Sequence, residues 1–316
     1  MRRLAFLFAI LTVVISTFAS VHAQTPEAAI NHFKNALKKT GNGDLDGAIE
    51  EYSRAIRLSS RLATSKESSR NAGNSFSDSE AANDDIKVID PFTANAYNNR
   101  GFARYRKADY LGAIEDFNEA LRIRPTLVIA YLNRAAALRS TGDNESAMKD
   151  LDRAIYIKKD FYQAYINRGS LQHDLGHEEE ALSDLNRAIE LKDDVPEAFY
   201  QRGYVYLGLN SFEDSIKDFN RAIELMPTMA WAYQGRGTAR MKKGQMQPAI
   251  EDFNHAIEQN PQLVWAYINR GLANFYLGNE AVAQTDFDKC LKLRPSLKTE
   301  LEQRIKLATE LRQLKK

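Results

Sequence analysis

The chain has 316 residues, 44% hydrophobic and 27% charged, with only eight prolines, which is ample for an extensive buried core. Its 43 basic and 42 acidic side chains nearly cancel, so it lacks the broad basic field that supplies non-specific nucleic-acid affinity. A single cysteine, Cys290, excludes an internal disulfide and leaves stability to packing.

Residues 1–23 read as an export leader. Arg2 and Arg3 precede an apolar run from Leu4 to Phe18, and Val21-His22-Ala23 offers small residues for cleavage. Loss of the two arginines leaves 41 basic against 42 acidic residues. The apolar run falls short of the ~20 residues that span a bilayer, so a cleaved leader is expected over a membrane anchor, with a periplasmic or secreted destination and no membrane insertion afterwards. Residues 24–58 are a weak copy of the repeat that follows, with Ala48, Tyr52, Ala55 and Ile56 at its apolar slots and His32 and Lys34 departing from it. Residues 59–89 are rich in Ser, Asn and Asp with one aromatic, Phe76. Such a composition cannot bury enough surface to fold alone, and a flexible inter-repeat insertion is expected.

From residue 90 to 297 the chain repeats every 34 residues without insertion or deletion, in six frames that begin at 94, 128, 162, 196, 230 and 264. Slot three is always Ala. Slot four is aromatic: Tyr97, Tyr131, Tyr165, Phe199, Tyr233 and Tyr267. Slot eight is small: Gly101, Ala135, Gly169, Gly203, Gly237 and Gly271. Slots 20, 24, 27 and 28 recur at helical spacing as a second apolar stripe, and Gly142, Gly176, Gly244 and Gly278 mark a turn between the two helices. This pattern resembles the tetratricopeptide repeat, a helix–turn–helix unit. The resemblance implies an all-α solenoid of antiparallel helix pairs that cannot bury their faces singly and so must stack. In residues 298–316, Leu301, Ile305 and Ala308 continue the first-helix slots with no second helix after them, the signature of a capping helix.

Two charged rows run through every frame. Slot seven is Arg (Arg100, Arg134, Arg168, Arg202, Arg236, Arg270) and slot 23 is Asp (Asp116, Asp150, Asp184, Asp218, Asp252, Asp286). A carboxylate for each guanidinium points to a structural ion-pair ladder, within or between repeats.

Slot six lies ~200° around the helix from slot four, away from the core of the pair, yet carries Asn99, Asn133, Asn167, Gln201 and Asn269, broken only by Gly235. A side-chain amide offers the donor and acceptor of a peptide unit. With helices ~8–10 Å apart and an extended chain advancing ~3.3 Å per residue, such a row could hold a polypeptide backbone at about every third residue. The row is similar to the asparagine ladder of the tetratricopeptide superhelix in O-GlcNAc transferases, which implies a peptide-binding concave face. Trp231 and Trp265 at slot two, with Tyr200, Tyr204, Ile268, Leu272 and Tyr276 at slots five, nine and thirteen, are the expected anchors, unless they pack on the adjacent first helix. Slot two otherwise holds Asn95, Ile129, Gln163 and Glu197, which lacks the basic residues of the cochaperone clamp for C-terminal carboxylates.

Enzymatic motifs are missing. His173 and His177 are i, i+4, but Gly176 between them marks a turn, so they make a poor metal pair. Neither cofactor nor metal is expected. The sequence therefore predicts a non-catalytic protein-interaction module that takes a polypeptide in its groove. A structural scaffold acting through its convex surface or ends is the alternative, and self-association through the first repeat or the capping helix is a third reading.

Overall fold

A computed structural model of the protein describes residues 27–71 and 91–314. The expected leader, residues 1–23, and residues 72–89 of the expected insertion lie outside the described residues.

The described residues form fifteen α-helices and one 3-10 turn, with no strand among them. They are α1 (Glu27–Gly41), α2 (Leu45–Asn71), α3 (Pro91–Arg106), α4 (Tyr110–Ile123), α5 (Val128–Thr141), α6 (Asn144–Ile157), α7 (Tyr162–Leu175), α8 (Glu178–Leu191), α9 (Pro196–Gly208), α10 (Phe212–Leu225), α11 (Ala230–Lys242), α12 (Met246–Gln259), α13 (Val264–Tyr276), α14 (Glu280–Leu293) and α15 (Lys298–Leu314). The chain divides into two compact units, Met1–Asn167 and Arg168–Lys316. Each is a stack of helix pairs in which a first helix packs on the second helix that follows it and on the one before.

The packing slots explain the pairs. Ala96, Ala130, Ala164, Ala198, Ala232 and Ala266 at slot three are fully buried, as are Ala120, Ala154, Ala188, Ala222, Ala256 and Cys290 at slot 27. Only side chains this small let two helix backbones approach. At slot eight the glycines have a further reason. A Cβ on Gly101 would stand 2.8 Å from Phe117 Cε1, and one on Gly237 would stand 2.7 Å from Phe253 Cε1, so the slot-24 ring rests on bare backbone. Ser215, the one slot-20 residue that is not Ala, is fully buried and donates to the Gly203 carbonyl at 2.8 Å.

The turn slot is left-handed throughout. Gly142, Gly176, Gly244 and Gly278 have φ of 92°, 83°, 80° and 87°, and the two frames without glycine place Ala108 and Asn210 there at 62° and 58°. The turn geometry therefore persists where its favoured residue is absent, at a steric cost in Ala108 that Asn tolerates better.

The weak copy is a true helix pair. Phe33, Ala36, Ala48, Tyr52 and Ala55 are buried together, and Phe33 meets Tyr52 edge-on at 5.5 Å. Its boundaries differ from the sequence reading in two ways. Helix α2 continues through Ser59 to Asn71, so the insertion opens as helix. Helix α3 begins at Pro91, ahead of its repeat frame, and this extra turn docks Phe92 on Phe33 at 5.1 Å and bonds Thr93 to Ser59 at 2.9 Å. A proline fits the first turn of a helix because its missing N–H would be unpaired there.

The capping helix is turned relative to the repeats. Slot ten is fully buried in all six (Ala103, Ala137, Leu171, Val205, Ala239, Ala273), yet its counterpart Leu307 is 56% exposed. Leu301 and Ala308, at slots four and eleven, are buried instead, among Val264, Phe287 and Cys290 of the last repeat. The face of α15 that carries Leu301 and Ala308 is therefore the one packed on the array. No helix among the described residues is long and apolar enough to cross a membrane.

Candidate polypeptide-binding face

The arginine and aspartate rows form six bidentate pairs, each within one repeat and spaced sixteen residues apart. Arg134 Nε and Nη2 donate to Asp150 at 2.8 and 2.6 Å, and Arg270 repeats this with Asp286 at 2.9 and 2.6 Å. The third nitrogen reaches backward. Arg202, Arg236 and Arg270 donate from Nη1 to Asn186, Asn220 and Asn254 of the preceding repeat at 2.6–2.7 Å, Arg134 reaches Asn118 at 2.7 Å, and Arg100 reaches Ser53 at 2.9 Å. Each of these five arginines thus ties one repeat together and staples it to its predecessor. Its guanidinium also lies over the slot-four ring one turn back, 5.3 Å from Tyr97 and 5.4 Å from Tyr233. Desolvation raises the Asp116 carboxyl above its usual range even with Arg100 and Arg104 beside it. These arginines are occupied by the fold. The slot-25 Asn partners were legible in the sequence as a further row, at Asn118, Asn186, Asn220 and Asn254, that sequence reasoning passed over.

Slot six is less free than helical angle alone suggests. It meets slots five and nine of the preceding first helix. Asn133 is 2% exposed and donates to Asn98 at 3.0 Å, and Asn269 is 6% exposed and donates to Thr238 at 3.1 Å. Asn133 keeps its Oδ1 buried and unpartnered. Asn99 accepts from Asn98 at 3.0 Å and lies by the Tyr52 hydroxyl, which burial pushes up to about 12. Asn167 and Gln201 differ: both are half-buried, and neither amide has a hydrogen-bond partner among the described residues. The structure thus sorts the row into amides that join helices and amides that are available.

The gap at Gly235 has a packing cause. Phe219 of α10 leans against it so closely that a Cβ there would lie 2.5 Å from Phe219 Cε1. The ring is held by Tyr204 at 5.2 Å and Tyr200 at 6.2 Å, which meet each other at 5.0 Å. An asparagine at 235 would displace this cluster.

The aromatic anchors divide likewise. Tyr200 is 8% exposed, Leu272 7% and Ile268 fully buried, so these three pack between helices instead of lining an open surface. Tyr204 donates to Gln234 Oε1 at 3.2 Å, and burial pushes its hydroxyl up to about 12. Trp265 and Tyr276 are half-buried in the core under α15, where the Arg304 guanidinium covers the Trp265 ring at 4.9 Å. Trp231 is half-buried against Leu263 and Ala266 and has no ring or cation partner among the described residues. His173 closes α7 and bonds Glu178 at 2.6 Å, while His177 stands at the start of α8 beyond the turn.

Comparison with known proteins agrees with this architecture. Tetratricopeptide repeat models match residues 94–127 and 196–229, and 128–161, 162–195, 232–263 and 266–297. Among curated proteins none matches the chain. A tetratricopeptide repeat protein from Parabacteroides merdae is similar in structure at TM-score 0.63 and 19% identity, covering 90% of this chain and all of that one. PilW, a widely conserved type IV pilus biogenesis factor, is similar at TM-score 0.61 and 20% identity, over 67% of this chain and 98% of that one. PilF of Pseudomonas aeruginosa follows at 0.57 and 16%, over 64% and 92%. At these identities the likeness is one of fold. Six consecutive matched repeats, each with its buried Ala slots and Arg–Asp pair, establish that the chain belongs to the tetratricopeptide repeat family.

Proposed function

We propose that the protein is a non-catalytic interaction module whose first-helix faces hold an extended segment of another polypeptide. The tetratricopeptide repeat fold suggests protein–protein interaction, and such repeats are generally non-catalytic. The finer reading is carried in each unit separately by an available slot-six amide, Asn167 in the first and Gln201 in the second, each half-buried with no bond to the fold. A primary amide in such a place can pair with the N–H and C=O of a peptide unit without sacrificing a structural contact.

The leader at residues 1–23 motivates placing this module outside the cytoplasm, in the periplasm or the medium. The experiment is a capture from envelope extract with residues 24–316, alongside the variant Asn167→Ala with Gln201→Ala. Because neither amide is bonded within the fold, circular dichroism should be unchanged while capture falls. Equal capture by both would transfer the function to the second-helix surface or the ends of the array, the scaffold reading.

A further inference from the structure

The turn between α1 and α2 reads Gly41-Asn42-Gly43, and Asn42–Gly43 is the one Asn–Gly step in the chain. The six repeats put other residues before the left-handed turn position: Lys107, Thr141, Leu175, Leu209, Lys243 and Leu277. An asparagine followed by glycine is open to attack on its own side chain. No Cβ on the next residue blocks the approach of its backbone nitrogen, and glycine turns freely to align it.

The structure leaves room for that reaction. Residues 41–44 are all exposed, and a Cβ added at Gly41 or at Gly43 would meet nothing within 4 Å. The Asn42 amide has no hydrogen-bond partner among the described residues. Gly43 sits at φ 80°, and its N–H holds only the Thr40 carbonyl, at 3.2 Å, the long end of the N–H···O range. A neighbouring step provides the contrast. Asp46–Gly47 lies in the first turn of α2, where the Gly47 N–H is donated to Asp44 Oδ1 at 2.9 Å and Lys107 holds the Asp46 carboxylate.

We propose that Asn42 is a site of spontaneous modification, converting to aspartate and isoaspartate and so loosening the first helix pair. The Gly43 nitrogen gives up its proton to solvent base and attacks Asn42 Cγ. The new C–N bond closes a succinimide ring, the Cγ–Nδ2 bond breaks, and the side-chain nitrogen leaves as ammonia. Water then opens the ring. Addition at Cγ gives aspartate, while addition at the Asn42 backbone carbonyl gives isoaspartate, whose main chain runs through Cβ and Cγ and is one methylene longer.

The turn has little tolerance for that length. The Asp44 N–H donates to the Lys39 carbonyl at 2.9 Å, and the Thr40 carbonyl that Gly43 uses also accepts from Arg106 Nη1 of α3 at 3.2 Å. A longer chain between these bonds displaces them together. Either product also adds a negative charge at a helix C-terminus, where the dipole opposes it. Among the described residues the pair α1–α2 has a neighbouring repeat on one side only, so the loss falls on a pair with little other support.

The test follows the full chain through incubation at mildly alkaline pH, with tryptic mapping. The peptide Thr40–Arg54 holds Asn42 as its one asparagine. The expected result is a one-dalton gain split between two chromatographic products, appearing several-fold faster than the gain at Asn210, which occupies the left-handed turn of another repeat and precedes Ser211. Limited proteolysis within α1–α2 should accelerate in step with isoaspartate and stay at its starting rate in Asn42→Gln, whose longer side chain closes the ring far more slowly. Fresh Asn42→Asp, with the charge but without the extra methylene, should fall between. A native-state rate at Asn42 no greater than at Asn210, or modification seen only in urea, overturns the site. Full conversion with an unchanged cleavage rate overturns the loosening.

Discussion

Replacing Asp252 by Asn should unfold the centre of the second unit before anything else. The carboxylate is 1% exposed and accepts from Arg236 through Nε at 3.1 Å and Nη2 at 2.6 Å, and from Arg240 Nη1 at 2.9 Å. Asn keeps the shape but removes the charge and turns an amide N–H₂ toward two guanidinium groups that can only donate. Arg236 would retain Asn220 at 2.6 Å, and Arg240 the Pro248 carbonyl at 3.3 Å, so two half-buried cations lose their buried counterion together. Breaking a buried pair by removing one partner costs ~3–5 kcal/mol, and Asp252, with two arginines, should lie near the upper end. Asp150, 8% exposed at its side chain and bonded to Arg134 alone, should lie about 1 kcal/mol lower. Urea titration by far-UV circular dichroism, with amide exchange to place the loss in α11 and α12, measures both. Repeat arrays can unfold in parts, so the exchange data carry the assignment. Losses under ~1 kcal/mol for both variants, the range of exposed salt bridges, would refute the view of these pairs as buried staples.

Ala108→Gly should stabilise the first unit by about 0.5–1 kcal/mol, the relief of a left-handed alanine less the entropy that glycine adds to the unfolded chain, and a urea midpoint no higher than the parent's would count against it. Gly235→Asn would extend the amide row, but it should cost ~1–3 kcal/mol by overpacking against Phe219 and alter the near-UV signal of the Tyr200–Tyr204–Phe219 cluster. The hydrogen bond from His32 holds the Glu51 carboxyl below its ordinary 4.5. Its contribution is therefore present above pH 4.5 and lost as pH falls through the lower folded value. Limited proteolysis of α1–α2 on acidification should show that loss, and Glu51→Gln should abolish the pH step.

The repeat made most of this fold legible because every packing slot is duplicated six times: a position that is Ala in every frame declares a backbone contact. Where one slot had to be read from helical angle alone, the reading was weaker. The angle places slot six away from its own pair, but it does not show that the preceding first helix stands there, which is why Asn133 and Asn269 are packing residues as well as candidates. Ile268 and Leu272 likewise look outward on a single helix and inward in the stack. Gly235 interrupts the row for a reason that lies in another repeat, the lean of Phe219, which periodicity cannot supply. The Arg–Asp pairing was visible in composition, whereas its backward arm to Asn118, Asn186, Asn220 and Asn254 needed the geometry. The capping helix was legible from Leu301 and Ala308, but the exposure of Leu307 and the contact of Arg304 with Trp265 needed the geometry.

The most direct test of the binding face is site-specific photocrosslinking. A benzophenone amino acid replaces Gln201 on the first helix α9 in one variant, and Glu251, exposed on the second helix α12, in another. Each is irradiated in envelope extract. Crosslinks to a polypeptide from position 201 and none from position 251 are the predicted result. Crosslinks from 251 alone would contradict the account and make the second-helix surface the working face of this protein.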